Sequence, residues 1–128
     1  MLRHAWSHGK QCYLPVIDGD QLQFRHFTPG GGLVSNRFGI LEPTLSKKEC
    51  HLVNIDLVLT PLVAFDRWGN RLGMGGGFYD RTLASQLMLN GRLRMKRPVL
   101  CGVAHKCQQL EKLTPQDWDF PLDWVAIG

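Results

Sequence analysis

One segment, residues 65–81, constrains the fold more than any other part of the chain. It reads FDRWGNRLGMGGGFYDR and contains five glycines, three arginines and two aspartates. Because glycine loses more conformational freedom on folding than other residues do, the three consecutive glycines at 75–77 are costly to order. Outside linkers, such runs occur where the backbone passes close to a ligand. The segment is therefore predicted to be a binding loop.

The flanks of this loop indicate what it binds. Residues 55–65 form an apolar run typical of a buried strand, and residues 78–89 place Tyr79, Leu83 and Leu87 at helical spacing. A strand, a glycine loop and a helix N-terminus direct free backbone N–H groups and the positive end of a helix dipole at one point. The arrangement predicts an anion site, and a phosphate group in particular.

Two common nucleotide-binding motifs do not match this loop. The phosphate loop of the P-loop type needs a lysine followed by a hydroxyl residue, and the chain contains no Gly-Lys-Ser or Gly-Lys-Thr. The dinucleotide fingerprint needs a third glycine three residues after the second. Counted from Gly73 and Gly75, that position is Phe78, and no acidic residue follows at the required distance. The loop is therefore neither motif.

The loop does resemble, nearly residue for residue, the signature of the 5-formyltetrahydrofolate cyclo-ligase family, also called methenyltetrahydrofolate synthetases. The resemblance runs through three parts of the loop and its flank, at residues 60–66, 69–73 and 77–81. Shorter runs elsewhere also match family segments in the family's order, at residues 13–16, 40–43, 102–105, Gln108 and 117–123. The resemblance therefore covers almost the whole chain.

Length and hydrophobicity are compatible with a single folded domain. The chain has 128 residues, of which 44% are hydrophobic, so it can bury one core and is too short for two domains. The runs at 55–60 and 99–104 are apolar on both faces, which is typical of central strands in an α/β sheet. Together with the resemblance, this predicts one α/β domain over residues 1–128, a three-layer sandwich with a mostly parallel central sheet flanked by helices, plus a small β-hairpin element.

The start of the chain is predicted to form a helix end and a hairpin. Residues 2–8 favour a helix that stops at Gly9, and residues 11–17 favour a strand. The Asp-Gly-Asp sequence at 18–20 predicts a turn into a second strand at 22–27, whose alternation indicates one wet face.

A helix that leads into a buried strand normally follows an earlier strand of the same βαβ unit. By comparison with the family, we expect an amino-terminal segment to be missing. That segment would supply a first strand, basic residues that contact ATP, and part of the folate pocket.

The net charge and the cysteine content give little further indication of function. The net charge is +4, and the basic cluster at 92–97 is interpreted as a solvated turn, because no aromatic residues are interleaved with it. A zinc site on Cys101, His105 and Cys107 lacks an obvious fourth ligand. Because no CxxC pair is present, we expect reduced thiols at all four cysteines, Cys12, Cys50, Cys101 and Cys107.

The resemblance implies a reaction, the ATP-dependent closure of 5-formyltetrahydrofolate to 5,10-methenyltetrahydrofolate with release of ADP and phosphate. The formyl oxygen is a poor leaving group, so the γ-phosphate of ATP must first be transferred to it. The neighbouring amine of the folate then attacks the activated carbon, and phosphate departs. Phosphoryl transfer needs positioning and charge neutralisation, which glycine N–H groups, arginine side chains and Mg²⁺ provide.

The resemblance also implies roles for individual residues. Arg71 and Arg81 would be catalytic. The ATP phosphates would be held by Arg71, Leu72, Gly73, Met74, Gly75, Gly76, Gly77, Phe78 and Tyr79. The folate would contact Met74, Gly75, Gly76, Gly77 and Phe78. Asp80 would be the main Mg²⁺ ligand, at a helix start where the dipole favours a carboxylate, and Asp119 would be the second.

These assignments have structural alternatives. Asp80 also fits a plain helix N-terminal acid, and Asp119 fits a loop carboxylate in an acidic run. Arg81 either reaches a phosphate or pairs with Asp66. Phe78 stands where the family has tyrosine, which removes one hydroxyl and keeps the ring.

Three further residues match family positions without a firm role, namely Glu42, Tyr13 and His105. Tyr13 fits a core or strand-edge residue as well as a site residue. His105, at the end of a predicted strand, fits either a structural histidine or the rim of the pocket.

A second class of function stays open, a non-catalytic module that binds a nucleotide or polyanion and lacks the substrate pocket. The expected missing start and the +4 charge favour it. A third candidate, a sugar-phosphate isomerase or acyl-transfer relative on the same kind of sheet, leaves the signature at 71–81 unexplained. For the enzyme we expect a monomer with 5-formyltetrahydrofolate and ATP as partners and no nucleic-acid or membrane partner. We expect a cytoplasmic location, since no signal peptide or membrane-spanning apolar run is visible.

Overall fold

The structure of the chain is a computed structural model that describes residues 1–44, 49–73, 76–116 and 119–128. The chain divides into two compact units, Met1–His51 and Leu52–Gly128. The prediction that residues 1–128 form one domain stays a prediction.

The first unit is built on a β-hairpin. Its elements are α1 (Leu2–Ser7), β1 (Cys12–Asp18), β2 (Gln21–Phe27), β3 (Leu33–Ser35), β4 (Leu41–Pro43) and β5 (Glu49–Cys50). β2 lies between β1 and β5 in an antiparallel sheet, and β3 pairs with β4. As predicted, α1 stops before Gly9, whose φ of 72° lets its N–H bond the Trp6 carbonyl at 3.0 Å.

The core of this unit lies on one face of the hairpin. Leu22 and Phe24 alternate with more exposed neighbours along β2, as the predicted wet face requires. The Trp6 ring lies 5.7 Å from the Phe27 ring, and its Nε1–H donates to the Phe27 carbonyl at 3.3 Å. Helix α1 is thereby fixed to the end of β2.

The second unit contains a parallel sheet and one α-helix of ten residues among its described residues. Its strands and helix are β6 (Leu57–Thr60), β7 (Ala64–Phe65), β8 (Arg71–Leu72), α2 (Phe78–Leu87), β9 (Met88–Leu89), β10 (Arg92–Leu93), β11 (Val99–Ala104) and β12 (Trp124–Ile127). β11 lies between β6 and β12, parallel to both. Short 3₁₀ turns occur at Leu52–Asn54 and Lys106–Gln108. The parallel sheet and helix confirm the α/β class.

The core of the second unit is formed by apolar side chains of α2, the first 3₁₀ turn and the sheet. Leu83 and Leu87 of α2 are buried, and the Gln86 side chain accepts the Leu52 N–H at 2.7 Å, which fixes the turn to the helix. Val58 and Leu100 supply the buried face of the sheet.

The sheet differs from its prediction in one respect. Its second face is not buried: Leu57 is 53% exposed and Val99 is 43% exposed. Both faces of a parallel sheet are normally covered by crossover helices, and α2 is the one α-helix among the described residues of this unit. The three-layer arrangement with flanking helices therefore stays a prediction.

Two element boundaries also differ. The single strand predicted over 55–65 is divided into β6 and β7, because Pro61 lacks the N–H that a continuing ladder needs. The helix predicted over 78–89 ends at Leu87, and the chain enters a tight β9–β10 hairpin whose turn has φ of 52° at Asn90 and 75° at Gly91.

Candidate phosphate and metal site

The site begins with a turn wound around the Asp66 carboxylate, between β7 and β8. Asp66 is 1% exposed. Its Oδ1 accepts the backbone N–H groups of Trp68 at 3.0 Å and Asn70 at 3.1 Å. Its Oδ2 accepts the Asn70 side chain at 3.0 Å and the Leu113 N–H at 2.9 Å. Gly69 completes the turn at φ 85°.

These contacts decide the protonation of Asp66. Burial opposes the charged form, but the hydrogen bonds from Leu113, Asn70 and Trp68 outweigh it and hold the pKa of Asp66 below its usual 3.8. The carboxylate is therefore an acceptor for all four donors near neutral pH.

Arg71 follows this turn and forms the central ion pair of the site. Its Nη2 lies 2.8 Å from Asp80 Oδ1, and the two side chains are 4% and 15% exposed. Its Nε is buried without a hydrogen-bond partner among the described residues. The structure thus joins Arg71 and Asp80, which the sequence analysis assigned to different roles.

Asp80 stands in the first turn of α2, where a carboxylate is favoured by the helix dipole. The same Oδ1 that binds Arg71 accepts the Phe120 N–H at 2.9 Å. One oxygen therefore joins β8, α2 and the segment that contains Asp119.

The Arg81 side chain extends from the first turn of α2 to the backbone of Gly76. Its Nη2 donates to the Gly76 carbonyl at 2.7 Å, and its guanidinium lies 5.1 Å from the centre of the Phe78 ring. Arg81 was predicted to reach a phosphate or to pair with Asp66, and the four hydrogen bonds described above for Asp66 come from Trp68, Asn70 and Leu113.

Gly77 is needed at the helix start for two reasons. Its φ of 69° lies in the left-handed region, and a Cβ there would lie 2.6 Å from Arg81 Nη1. The glycine at this position thus allows close approach of the backbone and the Arg81 guanidinium, whereas the predicted approach of the loop to a ligand stays a prediction.

A cavity of about 710 Å³ lies at this point, with Gly76, Gly77, Asp80, Arg81 and Asp119 in its lining. Asp119 is half-buried, and its Oδ2 accepts the Gln116 N–H at 2.8 Å. The structure therefore brings both predicted metal ligands and one predicted catalytic arginine to one cavity. Arg71 is connected to this cavity by its ion pair with Asp80, which is one of the lining residues.

The other predicted loop residues differ in exposure. Leu72 and Gly76 are exposed, whereas Gly73, Phe78 and Tyr79 are half-buried. Burial raises the pKa of the Tyr79 hydroxyl above its usual value, and nearby Arg71 only partly offsets this. Met74 and Gly75 lie outside the described residues.

The carboxylates fit Mg²⁺ of the kind that bridges to a substrate phosphate. Such ions are bound by one or two carboxylates, with phosphate oxygens and water completing the shell. Asp80 and Asp119 supply two carboxylates on one cavity. In the part of the chain that the structure describes, no group of three or more acidic, histidine or cysteine side chains forms a dedicated metal cage.

Glu42 and Tyr13, which match family positions without a firm role, make hydrogen bonds within the first unit. Glu42 accepts the Ile17 N–H at 2.7 Å and the Asn36 side chain at 3.2 Å, which fixes β4 to β1. Tyr13 donates to the Gln11 side chain at 3.1 Å, and burial, with the nearby Cys50 thiol, raises its pKa.

His105 is exposed, and its N–H donates to the Gln108 side chain at 2.7 Å. Gln108 also donates to the carbonyls of Leu62 and Val63, both at 3.1 Å, and so fixes the end of β11 to the start of β7. All four cysteines are free thiols, as predicted.

Sequence reasoning missed three residues that build the site, Asp66 as its organiser and the backbone N–H groups of Leu113 and Phe120. An Asp three residues before a Gly is a turn signal and identifies the Asp66 turn. The N–H groups carry no residue-type signal, because any residue except proline supplies one.

No helix within the described ranges combines the length and apolar character needed to cross a membrane.

Comparison with known proteins gives a consistent result. The model of the 5-formyltetrahydrofolate cyclo-ligase family matches residues 1–128. The 5-formyltetrahydrofolate cyclo-ligase of Escherichia coli (strain K12) is 44% identical over 130 residues, covering 98% of this chain and 68% of that protein. That of Haemophilus influenzae is 42% identical over 132 residues, covering 100% of this chain and 67% of that protein.

Solved structures agree. The solution structure of Aquifex aeolicus 5,10-methenyltetrahydrofolate synthetase superposes with a TM-score of 0.71 at 30% identity, covering 97% of this chain and 60% of that chain. A 5,10-methenyltetrahydrofolate synthetase from Mycoplasma pneumoniae gives a TM-score of 0.65 at 23% identity with the same coverage, and supports the fold alone. This chain thus spans about two thirds of the curated relatives and 60% of the solved chains. With its whole length matched by the family model and its curated relatives named as enzymes, the chain belongs to the 5-formyltetrahydrofolate cyclo-ligase family.

Proposed function

We propose that the chain is an ATP- and Mg²⁺-dependent enzyme that closes 5-formyltetrahydrofolate to 5,10-methenyltetrahydrofolate, with release of ADP and phosphate. Family membership supports the reaction class. The observation that carries the proposal is the cavity at the start of α2, where Arg81, Asp80 and Asp119 meet the glycine loop. Positive groups and carboxylates at a helix N-terminus suit a metal-bound triphosphate.

The chain's own residues would bind and orient the phosphates. The N-terminus of α2, together with the backbone at Gly76 and Gly77, would supply N–H donors, and Arg71 and Arg81 would neutralise charge on the transferring group. Asp80 and Asp119 would hold Mg²⁺, which when bound neutralises phosphate charge. The ion pair with Arg71 keeps the Asp80 carboxylate in place at the start of the helix.

The chemistry then has two steps. The formyl oxygen attacks the γ-phosphorus, and the bond to the leaving oxygen of ADP breaks. The neighbouring amine attacks the formyl carbon and releases its N–H proton to solvent, and phosphate departs with the former formyl oxygen. Both steps depend on holding the reacting atoms in line, which is the contribution expected of the glycine loop and the two arginines.

The proposal extends to finer points. The folate would contact Gly76, Gly77 and Phe78 along with the loop residues between Gly73 and Gly76. The protein would act as a cytoplasmic monomer without a nucleic-acid or membrane partner, and its sheet would be the centre of a three-layer sandwich.

A second candidate is a non-catalytic nucleotide-binding module. Arg81, Asp80 and Asp119 on one cavity at a helix N-terminus suit the binding of a metal-bound nucleotide, with or without a reaction on it. The two candidates differ in ATP consumption. The enzyme consumes ATP only when Mg²⁺ and 5-formyltetrahydrofolate are both present, whereas the module binds ATP and consumes none under any combination.

A further inference from the structure

Asp66 performs no step in the reaction proposed above, yet its carboxylate is almost fully buried and accepts four hydrogen bonds at 2.9–3.1 Å. A charged carboxylate accepts and never donates, and it offers about four lone-pair directions. At Asp66 each oxygen takes two N–H donors. Replacing it with any neutral side chain leaves at least one donor without its acceptor.

Two of these donors set the register of the hairpin that carries Arg71. β7 and β8 share two residue pairs, Ala64 with Leu72 and Phe65 with Arg71. So short a ladder takes its register from the turn, and a slip of one residue would move Arg71 to the opposite face. The bonds from Asp66 to Trp68 and Asn70 hold that turn, and so place Arg71 on the face where Asp80 lies.

The Leu113 N–H connects the same carboxylate to the segment that contains Asp119. This segment follows the hairpin closely: the Leu110 N–H donates to Phe65, and the Leu122 N–H donates to Gly69, both at 2.8 Å. Between them lies the Phe120 N–H bond to Asp80. Asp66 thus stands where the Arg71 hairpin and the Asp119 segment are joined.

We infer that Asp66 is a positioning residue of the phosphate site, which fixes Arg71 relative to the segment carrying Asp119 and Phe120. The inference rests on the function proposed for the cavity. Asp66 itself touches neither substrate nor metal. Its effect passes through the 2.8 Å contact of Arg71 with Asp80 and the 2.9 Å contact of Phe120 with Asp80.

The variant Asp66→Asn distinguishes the hydrogen bonds within the turn from the hydrogen bond to the Leu113 N–H. The asparagine oxygen still accepts from Trp68 and Asn70, and the Asn70 amide can rotate to accept from the new side-chain amide. The donor that loses its acceptor is the Leu113 N–H. Asp66→Ala removes the turn bonds as well, and Leu100→Val is the control, because it perturbs the sheet core away from the turn.

The test uses the full chain and two kinds of measurement. Nuclear magnetic resonance follows the Arg71 Nε–H signal and hydrogen exchange at Leu113 and Phe120, and calorimetry with steady-state kinetics gives the Kd for Mg-ATP, kcat and KM. We expect Asp66→Asn to speed exchange at both amides about tenfold and to weaken ATP binding or lower kcat about tenfold, with KM for the folate little changed. Asp66→Ala shifts the Arg71 signal further, and Leu100→Val changes none of these.

The outcomes are distinct. If the unaltered chain neither binds ATP nor forms product, the proposed function fails, and the resonance and exchange measurements alone decide whether Asp66 positions Arg71 and Phe120. If folded Asp66→Asn and Asp66→Ala give the Arg71 signal, exchange rates and ATP affinity of Leu100→Val, Asp66 is only a stability residue and the inference is overturned.

Discussion

At the scale of single residues, the site depends on one oxygen atom. Asp80 Oδ1 binds both Arg71 and the Phe120 N–H, so the start of α2 is held from two sides. Sequence patterns predict the helix start, the acid in its first turn and the glycine before it, because these are neighbours along the chain. The partners of that acid come from residues 71 and 120, which only the fold brings together.

Arg71→Lys tests the geometry of this pair. Lysine keeps the positive charge but loses the planar fork that holds Asp80 and that, in the proposed function, also binds a phosphate. We expect product formation to fall about 100-fold, with little loss of folded protein in a thermal melt. The matched control is Arg67→Lys, since the Arg67 guanidinium lies 4.4 Å from the Trp68 ring and Arg67 is not among the residues that line the cavity. Equal activity of the two variants would contradict the role given to Arg71.

Gly77→Ala tests the close approach at the helix start. The substitution places a Cβ at a φ of 69° and 2.6 Å from Arg81 Nη1. We expect a loss of about 1–2 kcal/mol in the free energy of unfolding from the backbone term, together with weaker ATP binding as Arg81 moves. Gly91→Ala is the control, because its φ is 75° and no atom lies within 4 Å of the added Cβ. It should lose similar stability and bind ATP normally.

At the scale of elements, local sequence signals predict α1, the β1–β2 hairpin, α2 and the strands β6 and β11, whereas the short strands β3, β4, β5 and β8 were not predicted. Helical spacing predicts α2, and Gly9 predicts the end of α1. Pro61 and the Asn90-Gly91 pair carry enough information to predict the break before β7 and the β9–β10 hairpin. The buried face of β11 cannot be predicted in this way. Its apolar residues alternate with other apolar residues, so the sequence shows no polar face.

The burial of the sheet faces predicts a contrast between neighbouring residues of β11. Leu100 is 1% exposed and Val99 is 43% exposed. Leu100→Ala should lower the free energy of unfolding by about 2–5 kcal/mol, because it leaves a cavity in the core. Val99→Ala should lower it by less than about 1 kcal/mol. Urea unfolding of both variants checks this, and equal losses would show that both faces are covered in solution.

The Asp66 turn predicts a specific pH dependence of stability. The pKa of Asp66 in the folded chain lies below the 3.8 expected when unfolded, so the unfolded chain takes up the proton first as the pH falls. The stabilisation is complete above about pH 3.8 and is lost as the pH falls through the folded pKa. Urea unfolding from pH 6 to pH 2 should show this loss in the parent chain. If the difference in the free energy of unfolding between the parent chain and Asp66→Asn stays constant from pH 6 to pH 2, the pKa shift of Asp66 is excluded.

At the scale of the whole molecule, family membership and site geometry support each other. The signature at 65–81 predicted the family, and the model matching residues 1–128 confirms it. The sequence alone indicated the anion loop and helix, whereas the resemblance supplied Asp119 and the metal. The structure places Asp119 on the same cavity as Asp80, although 39 residues separate them.

In the proposed function, this cavity carries an ATP- and Mg²⁺-dependent cyclo-ligase reaction. The most direct measurement is the appearance of methenyltetrahydrofolate, by its near-ultraviolet absorbance, from 5-formyltetrahydrofolate, ATP and Mg²⁺. It compares the parent chain with Asp80→Asn, which keeps an acceptor for Arg71 and Phe120 but loses the charge that a metal needs. We expect product from the parent chain and less than about 1% of that rate from folded Asp80→Asn. Absence of product from folded parent chain, or undiminished product from Asp80→Asn, would contradict it.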